Sequence, residues 1–193
     1  MNKIKILGRR IFINPIVEAL LGLNIHPNLI TITSLFFALL SFLFYRNGLF
    51  WVGAIFLFLC GIFDAFDGEI ARRTGRKTKL GSFLDSTIDR INEFIVYLGL
   101  FCYYYNKANY VLFWILFVIF GSMMVSYTRA KGEALGISPQ VGIFERFTRF
   151  TLLIIGSFLG PNIMVYVFVI LTIGTIETTI QRIIFVQRKS SKK

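Results

Sequence analysis

The feature that most restricts how this chain folds is its alternation of long apolar runs with short basic connections. Apolar runs extend over about Leu29 to Tyr45, Leu49 to Ala71, Phe83 to Tyr105, Tyr110 to Tyr127, Phe150 to Leu159 and Ile163 to Val186. A helix of ~20 apolar residues crosses the hydrocarbon core of a bilayer. The fifth run is shorter than that, so its helix is expected to begin before Phe150. Hydrophobic residues are 55% of the chain, Phe alone numbers 22, and mean hydropathy is +0.69, all in excess of what a soluble core of this size requires. The expected fold class is therefore an all-α integral membrane protein. It has six transmembrane helices within residues 27–187, in a single domain spanning 1–193 with no internal repeat.

The connections set the orientation. Of 21 Lys and Arg, all but Arg46, Arg90 and Lys107 fall in the N-terminal segment, around Arg72 to Lys79, around Arg129 to Arg149, or towards the C-terminal end. Such recurrence between apolar runs matches the positive-inside rule. It places both chain ends on the cytoplasmic side of the cell membrane, and it accounts for a net charge of +11 without nucleic acid. Residues 1–22 mix basic positions with Ile4, Ile6, Ile11, Ile13, Ile16, Val17, Leu20 and Leu21, and Pro15 interrupts them. They suit an amphipathic helix lying on the inner leaflet in contact with membrane lipids. No apolar run there leads to a small-residue cleavage site, so no signal peptide is expected. Cys60 and Cys102 lie within apolar runs and read as small core residues.

Against this background the acids stand out. A charged group at mid-membrane costs at least about 2.5 to 3.5 kcal/mol on insertion scales, so acids there mark sites. Asp64 and Asp67 are three apart, and Asp85 and Asp89 four apart, so each pair projects from one helix face. Both pairs sit at the cytoplasmic ends of neighbouring helices joined by a short loop. Four carboxylates brought together need cations, and an all-oxygen set suits Mg²⁺, Mn²⁺ or Ca²⁺ and not zinc. Gly68 and Ala71 leave room beside the acids, and Arg72 presents a planar fork suited to phosphate. The acids could instead be paired with Arg72, Arg73 and Arg90 merely to fix helix packing, but pairing alone gives no reason for Gly68, Ala71 and Gly81 at these spacings.

The pattern Asp64-x2-Asp67-Gly68-x2-Ala71-Arg72-x8-Gly81-x3-Asp85-x3-Asp89 resembles the signature of the CDP-alcohol phosphatidyltransferase family at all eight specified positions. The resemblance implies attack by a small alcohol's hydroxyl on the β-phosphorus of a CDP-linked lipid, with release of CMP. It implies Asp64, Asp67, Asp85 and Asp89 as ligands for two ions, Mg²⁺ or Mn²⁺, and Asp89 also as general base. Gly68, Ala71, Arg72 and Gly81 would lie along the cytidine diphosphate, and the assembly would be a homodimer.

A second resemblance concerns the acceptor. Ser126-Tyr127-Thr128-Arg129-Ala130-Lys131-Gly132-Glu133, Gly142-Ile143-Phe144-Glu145-Arg146-x2-Arg149 and Gln181-Arg182 are similar to the branch of the family that joins inositol 1-phosphate to CDP-diacylglycerol or CDP-archaeol. Arg129, Arg149 and Arg182 are the candidate ligands for the acceptor's phosphate. The same cations would serve glycerol 3-phosphate, or act only as positive-inside residues. A cation transporter is the reading from another class. It would place acids on several helices at mid-depth, where only Glu177 adds a candidate.

Overall fold

The computed structural model describes Glu18 and residues 27–191, apart from 76, 77 and 106. The expected interfacial helix at 1–22 lies outside the described residues except for Glu18. Within residues 27–191 six helices are described: α1 (Pro27–Arg46), α2 (Phe50–Arg73), α3 (Lys79–Tyr104), α4 (Asn109–Ala134), α5 (Arg146–Leu159) and α6 (Pro161–Ser190). No strand occurs among the described residues.

Four of these helices are long and apolar enough to cross a membrane: Leu29–Arg46, Phe50–Ile70, Asn109–Ala134 and Pro161–Ser190. The other two differ for separate physical reasons. α3 is 26 residues long but carries Asp85, Asp89, Arg90, Asn92 and Glu93. α5 does begin before Phe150, at Arg146, yet its 14 residues reach only ~21 Å at 1.5 Å per residue.

Local chemistry sets the boundaries. Gly48 adopts a positive φ of 79° and closes the turn between α1 and α2. Thr78 caps α3, its hydroxyl accepting from the Gly81 N–H at 2.9 Å. Gly160, at φ 96°, separates α5 from α6, and Pro161 then occupies the first helical position, where its missing N–H is harmless.

α1 packs on α2 and α3, α5 on α2 and α6, and α6 on α4. One core unites them, built from Tyr45, Leu57, Val96, Tyr97, Leu100, Ile115, Leu153, Phe168 and Leu171. The outward faces carry Phe36, Leu43, Phe58, Phe113, Phe120, Ile173 and other large apolar side chains, as helices facing lipid do. Lipid tails are as apolar as leucine, so helix association rests on close approach and hydrogen bonds. Asn92 donates to Ser34 at 2.9 Å, and Ser41 donates to the Gly53 carbonyl at 2.9 Å. The Tyr45 and Ser157 hydroxyls share a hydrogen bond of 2.8 Å.

Gly99 brings α3 against the α1 backbone: a Cβ there would stand 2.8 Å from both Cα and O of Phe42. Gly99→Ala is therefore expected to destabilise the bundle by about 1–3 kcal/mol, the range of overpacked cores. Gly68→Ala, whose Cβ meets nothing within 4 Å, should leave stability unchanged or slightly raised. Denaturant unfolding of the two variants in detergent checks the contrast.

Candidate active site

The acids of α2 and α3 meet at one end of the bundle. Asp64, Asp85 and Asp89 each offer a carboxylate oxygen, and these oxygens lie within 4.8 Å of one another. The geometry follows from helical periodicity: Asp85 and Asp89 share a face of α3, and the antiparallel α2 turns Asp64 towards them. The side chains of Asp67 and Ala71 lie outside the described residues.

Arg146, in the first turn of α5, reaches into this cluster. Its Nη1 donates to Asp64 Oδ2 at 2.5 Å and also to Asp89 Oδ1. Arg90 Nη2 lies 3.4 Å from the other oxygen of Asp89, and its Nη1 donates to the Ser126 hydroxyl. Asp64 Oδ1 is buried with no hydrogen-bond partner among the described residues. Arg72 and Arg73 pair with Glu69 (2.7 and 3.0 Å). Space beside Gly68 is open.

Next to the acids is a cavity of about 840 Å³ whose walls include Asp89, Arg90, Arg129, Arg146, Arg149 and Arg182. The three arginines expected at an acceptor site thus line one cavity, and each already has an acidic partner. Arg149 is 1% exposed and grips Glu93 with two bonds, Nε to Oε1 at 2.6 Å and Nη2 to Oε2 at 2.8 Å, while its Nη1 donates to the Phe144 carbonyl. Arg182 donates to the carbonyls of Val141 (3.0 Å) and Val125 (2.6 Å) and lies 3.3 Å from Glu145. Arg129 pairs with Glu133 at 3.0 Å. The segment between α4 and α5 forms part of this wall. Its Gly142, at φ 92°, lies against Thr178 of α6, and the Phe144 N–H donates to the Thr178 hydroxyl.

Two residues at this end, Arg146 and Glu93, were absent from the sequence-derived set of site residues. A signal for them existed. Asp89 and Glu93 are four apart on α3, and Arg146 and Arg149 three apart on α5, so two acids and two bases occupy matching faces of two helices.

The family model described as CDP-alcohol phosphatidyltransferase matches residues 24–186. The chain belongs to that family. Among the CDP-alcohol phosphatidyltransferases it resembles, the archaetidylinositol phosphate synthase of Methanothermobacter thermautotrophicus is 34% identical over 98% of this chain and 95% of its own length. The phosphatidylinositol phosphate synthase of Cutibacterium acnes is 36% identical over 70% of this chain and 67% of its own. Crystal structures of the Mycobacterium tuberculosis phosphatidylinositol phosphate synthase share the fold at 26% identity. The form with CDP-DAG bound has a TM-score of 0.80 and covers 89% of this chain and 92% of that one. The complex with manganese and citrate has a TM-score of 0.81, with coverage of 90% and 88%.

The Glu93–Arg149 pair has a mechanical consequence. Breaking a buried ion pair by removing one partner leaves an uncompensated charge, whereas replacing both with apolar residues is often neutral. Arg149→Met alone is expected to lower stability by about 3–5 kcal/mol, and the double variant Glu93→Met/Arg149→Met to regain most of that loss. Unfolding midpoints of the two variants against the unmodified protein measure it.

Proposed function

We propose that this chain transfers the phosphatidyl or archaetidyl group of a CDP-linked lipid to a small phosphorylated alcohol, inositol 1-phosphate, and releases CMP. The observation that carries the reading is that Asp89 belongs at once to the carboxylate cluster and to the wall of the arginine-lined cavity. Donor chemistry and a phosphate-bearing acceptor are thereby given adjoining places. The named relatives support the inositol phosphate acceptor, because the proteins of Methanothermobacter thermautotrophicus and Cutibacterium acnes are both synthases of inositol phosphate lipids.

The residues present fit a divalent cation. Three carboxylates with oxygens within 4.8 Å, one of them bearing a buried oxygen without a partner among the described residues, form a hard donor set of the kind Mg²⁺ and Mn²⁺ take. Asp64, Asp85 and Asp89 would hold it, with Asp67 joining on the strength of the motif, in a site for two ions. When bound, such ions neutralise charge on the diphosphate and on the departing CMP.

The chain's own groups account for the other steps. Asp89 takes the proton from the acceptor hydroxyl as its oxygen bonds to the β-phosphorus, and the bond from that phosphorus to the CMP oxygen breaks. Gly68 leaves space for the cytidine diphosphate to approach the α2 backbone, and Ala71, Arg72 and Gly81 line its path. Arg129, Arg149 and Arg182 give the cavity its positive character, which favours an acceptor that brings its own phosphate and discriminates against free inositol or serine.

In this reading all six helices cross the cell membrane, and both ends of the chain lie in the cytoplasm. The basic residues in the last turns of α2, α4 and α6 support that orientation. A homodimer follows from the family resemblance.

With CDP-diacylglycerol and Mg²⁺ or Mn²⁺, the purified protein is expected to release CMP faster with inositol 1-phosphate than with glycerol 3-phosphate. The reverse order would make it a phosphatidylglycerophosphate synthase, and no CMP with either acceptor would end the transferase reading. Asp89→Asn should lower turnover by about 10²- to 10⁴-fold, the usual worth of a positioned base, while CDP-lipid still binds.

A further inference from the structure

Arg146 is held in a lopsided way. One nitrogen, Nη1, contacts both Asp64 and Asp89, while Nε and Nη2 are buried without a hydrogen-bond partner among the described residues. The guanidinium lies over the Phe150 ring, 4.9 Å from its centroid, and forms part of the cavity wall. An arginine offers five N–H donors in a fixed plane, and Nε with Nη2 make the edge that receives two oxygens of one phosphate or carboxylate. Buried donors left without acceptors are costly, so an idle edge beside an arginine-lined cavity points to an anion that completes it. The other side of the same group meets a different demand. It neutralises carboxylates that the metal reading assigns to divalent cations, and two cations cannot share those oxygens without strong repulsion.

We propose that Arg146 is an exchangeable counter-ion. It holds Asp64 and Asp89 until a divalent cation takes them, and its displaced fork then closes on the phosphate of the incoming acceptor. The proposal rests on the metal-dependent reading above and adds a coupling to it: an oxyanion that engages the Nε/Nη2 edge draws the positive charge off the carboxylates and so strengthens cation binding. By linkage, the cation strengthens oxyanion binding by the same factor.

The test is Mn²⁺ binding to the detergent-solubilised protein, followed by the electron paramagnetic resonance signal of free Mn²⁺, in sulfate and in chloride at equal ionic strength. For the unmodified protein, sulfate is expected to tighten Mn²⁺ binding by about tenfold, within the usual range of coupling between sites. Arg146→Gln should bind Mn²⁺ about tenfold tighter than the unmodified protein in chloride and show no sulfate effect. Arg146→Lys keeps the charge but loses the fork, so it should bind Mn²⁺ as weakly as the unmodified protein and ignore sulfate. If Arg146→Gln does not fold, the Arg146→Lys comparison decides alone, and a sulfate effect that persists there overturns the proposal. Equal Mn²⁺ affinity in Arg146→Gln and the unmodified protein, with CMP release intact, overturns the exchange and leaves the transferase standing. Failure of the unmodified protein to bind Mn²⁺ at all overturns the metal reading and the exchange with it.

Discussion

The organisation of this bundle depends on balancing charge away from water. Asp64, Asp85, Asp89 and Glu93 project from α2 and α3 into a region that also receives Arg90, Arg146 and Arg149. An ionised side chain in such surroundings persists only with a partner, so the positions of α2, α3 and α5 are tied to one another by more than apolar contact. The remainder of the molecule can then be simple. Its main core is a tyrosine-, leucine- and phenylalanine-rich interior, and its outward helix faces carry many large apolar side chains.

That division separates two kinds of arginine. Arg149 and Arg182 are fully engaged with Glu93, with Glu145 and with backbone carbonyls, and so shape the cavity wall as structural members. Arg129 is half exposed and pairs with Glu133. Arg146 combines an engaged nitrogen with an edge that has no hydrogen-bond partner among the described residues. A positive cavity can therefore be stiff on one side and adjustable on the other, which suits a site that must admit a soluble molecule and still align it with a lipid.

Much of this was legible in the residues, and unevenly so. The all-helical class followed from the apolar runs, and Asp64, Asp85 and Asp89 converge, the last two across the four-residue spacing that puts them on one face of α3. Two things were harder to read. The spanning character of α3 and α5 is blurred because α3 places its polar side chains inward and α5 is short, and neither property follows from hydropathy alone. The roles of Arg146 and Arg149 depended on which α5 face meets α3, a tertiary fact that a single-helix pattern does not contain. Counting arginines near a loop identified positive charge, but it did not identify which guanidinium groups already had a carboxylate of their own. Glu177, the one acid that would have suited an ion path, lies on α6 with Gln181 as its neighbour at 2.9 Å, apart from the cluster.

The depth of Asp64 has a consequence for traffic. It stands nine residues before Arg73, the last residue of α2, so its Cα is roughly 14 Å along the axis from that helix end. The carboxylate cluster is thus set back from the end of α2, and Arg146 in the first turn of α5 reaches it there. A lipid arriving sideways through the leaflet can keep its tails among other tails while only its head group turns inward. In the transfer proposed above, the soluble acceptor enters by the arginine-lined cavity, so neither substrate has to leave its own solvent for the two to meet.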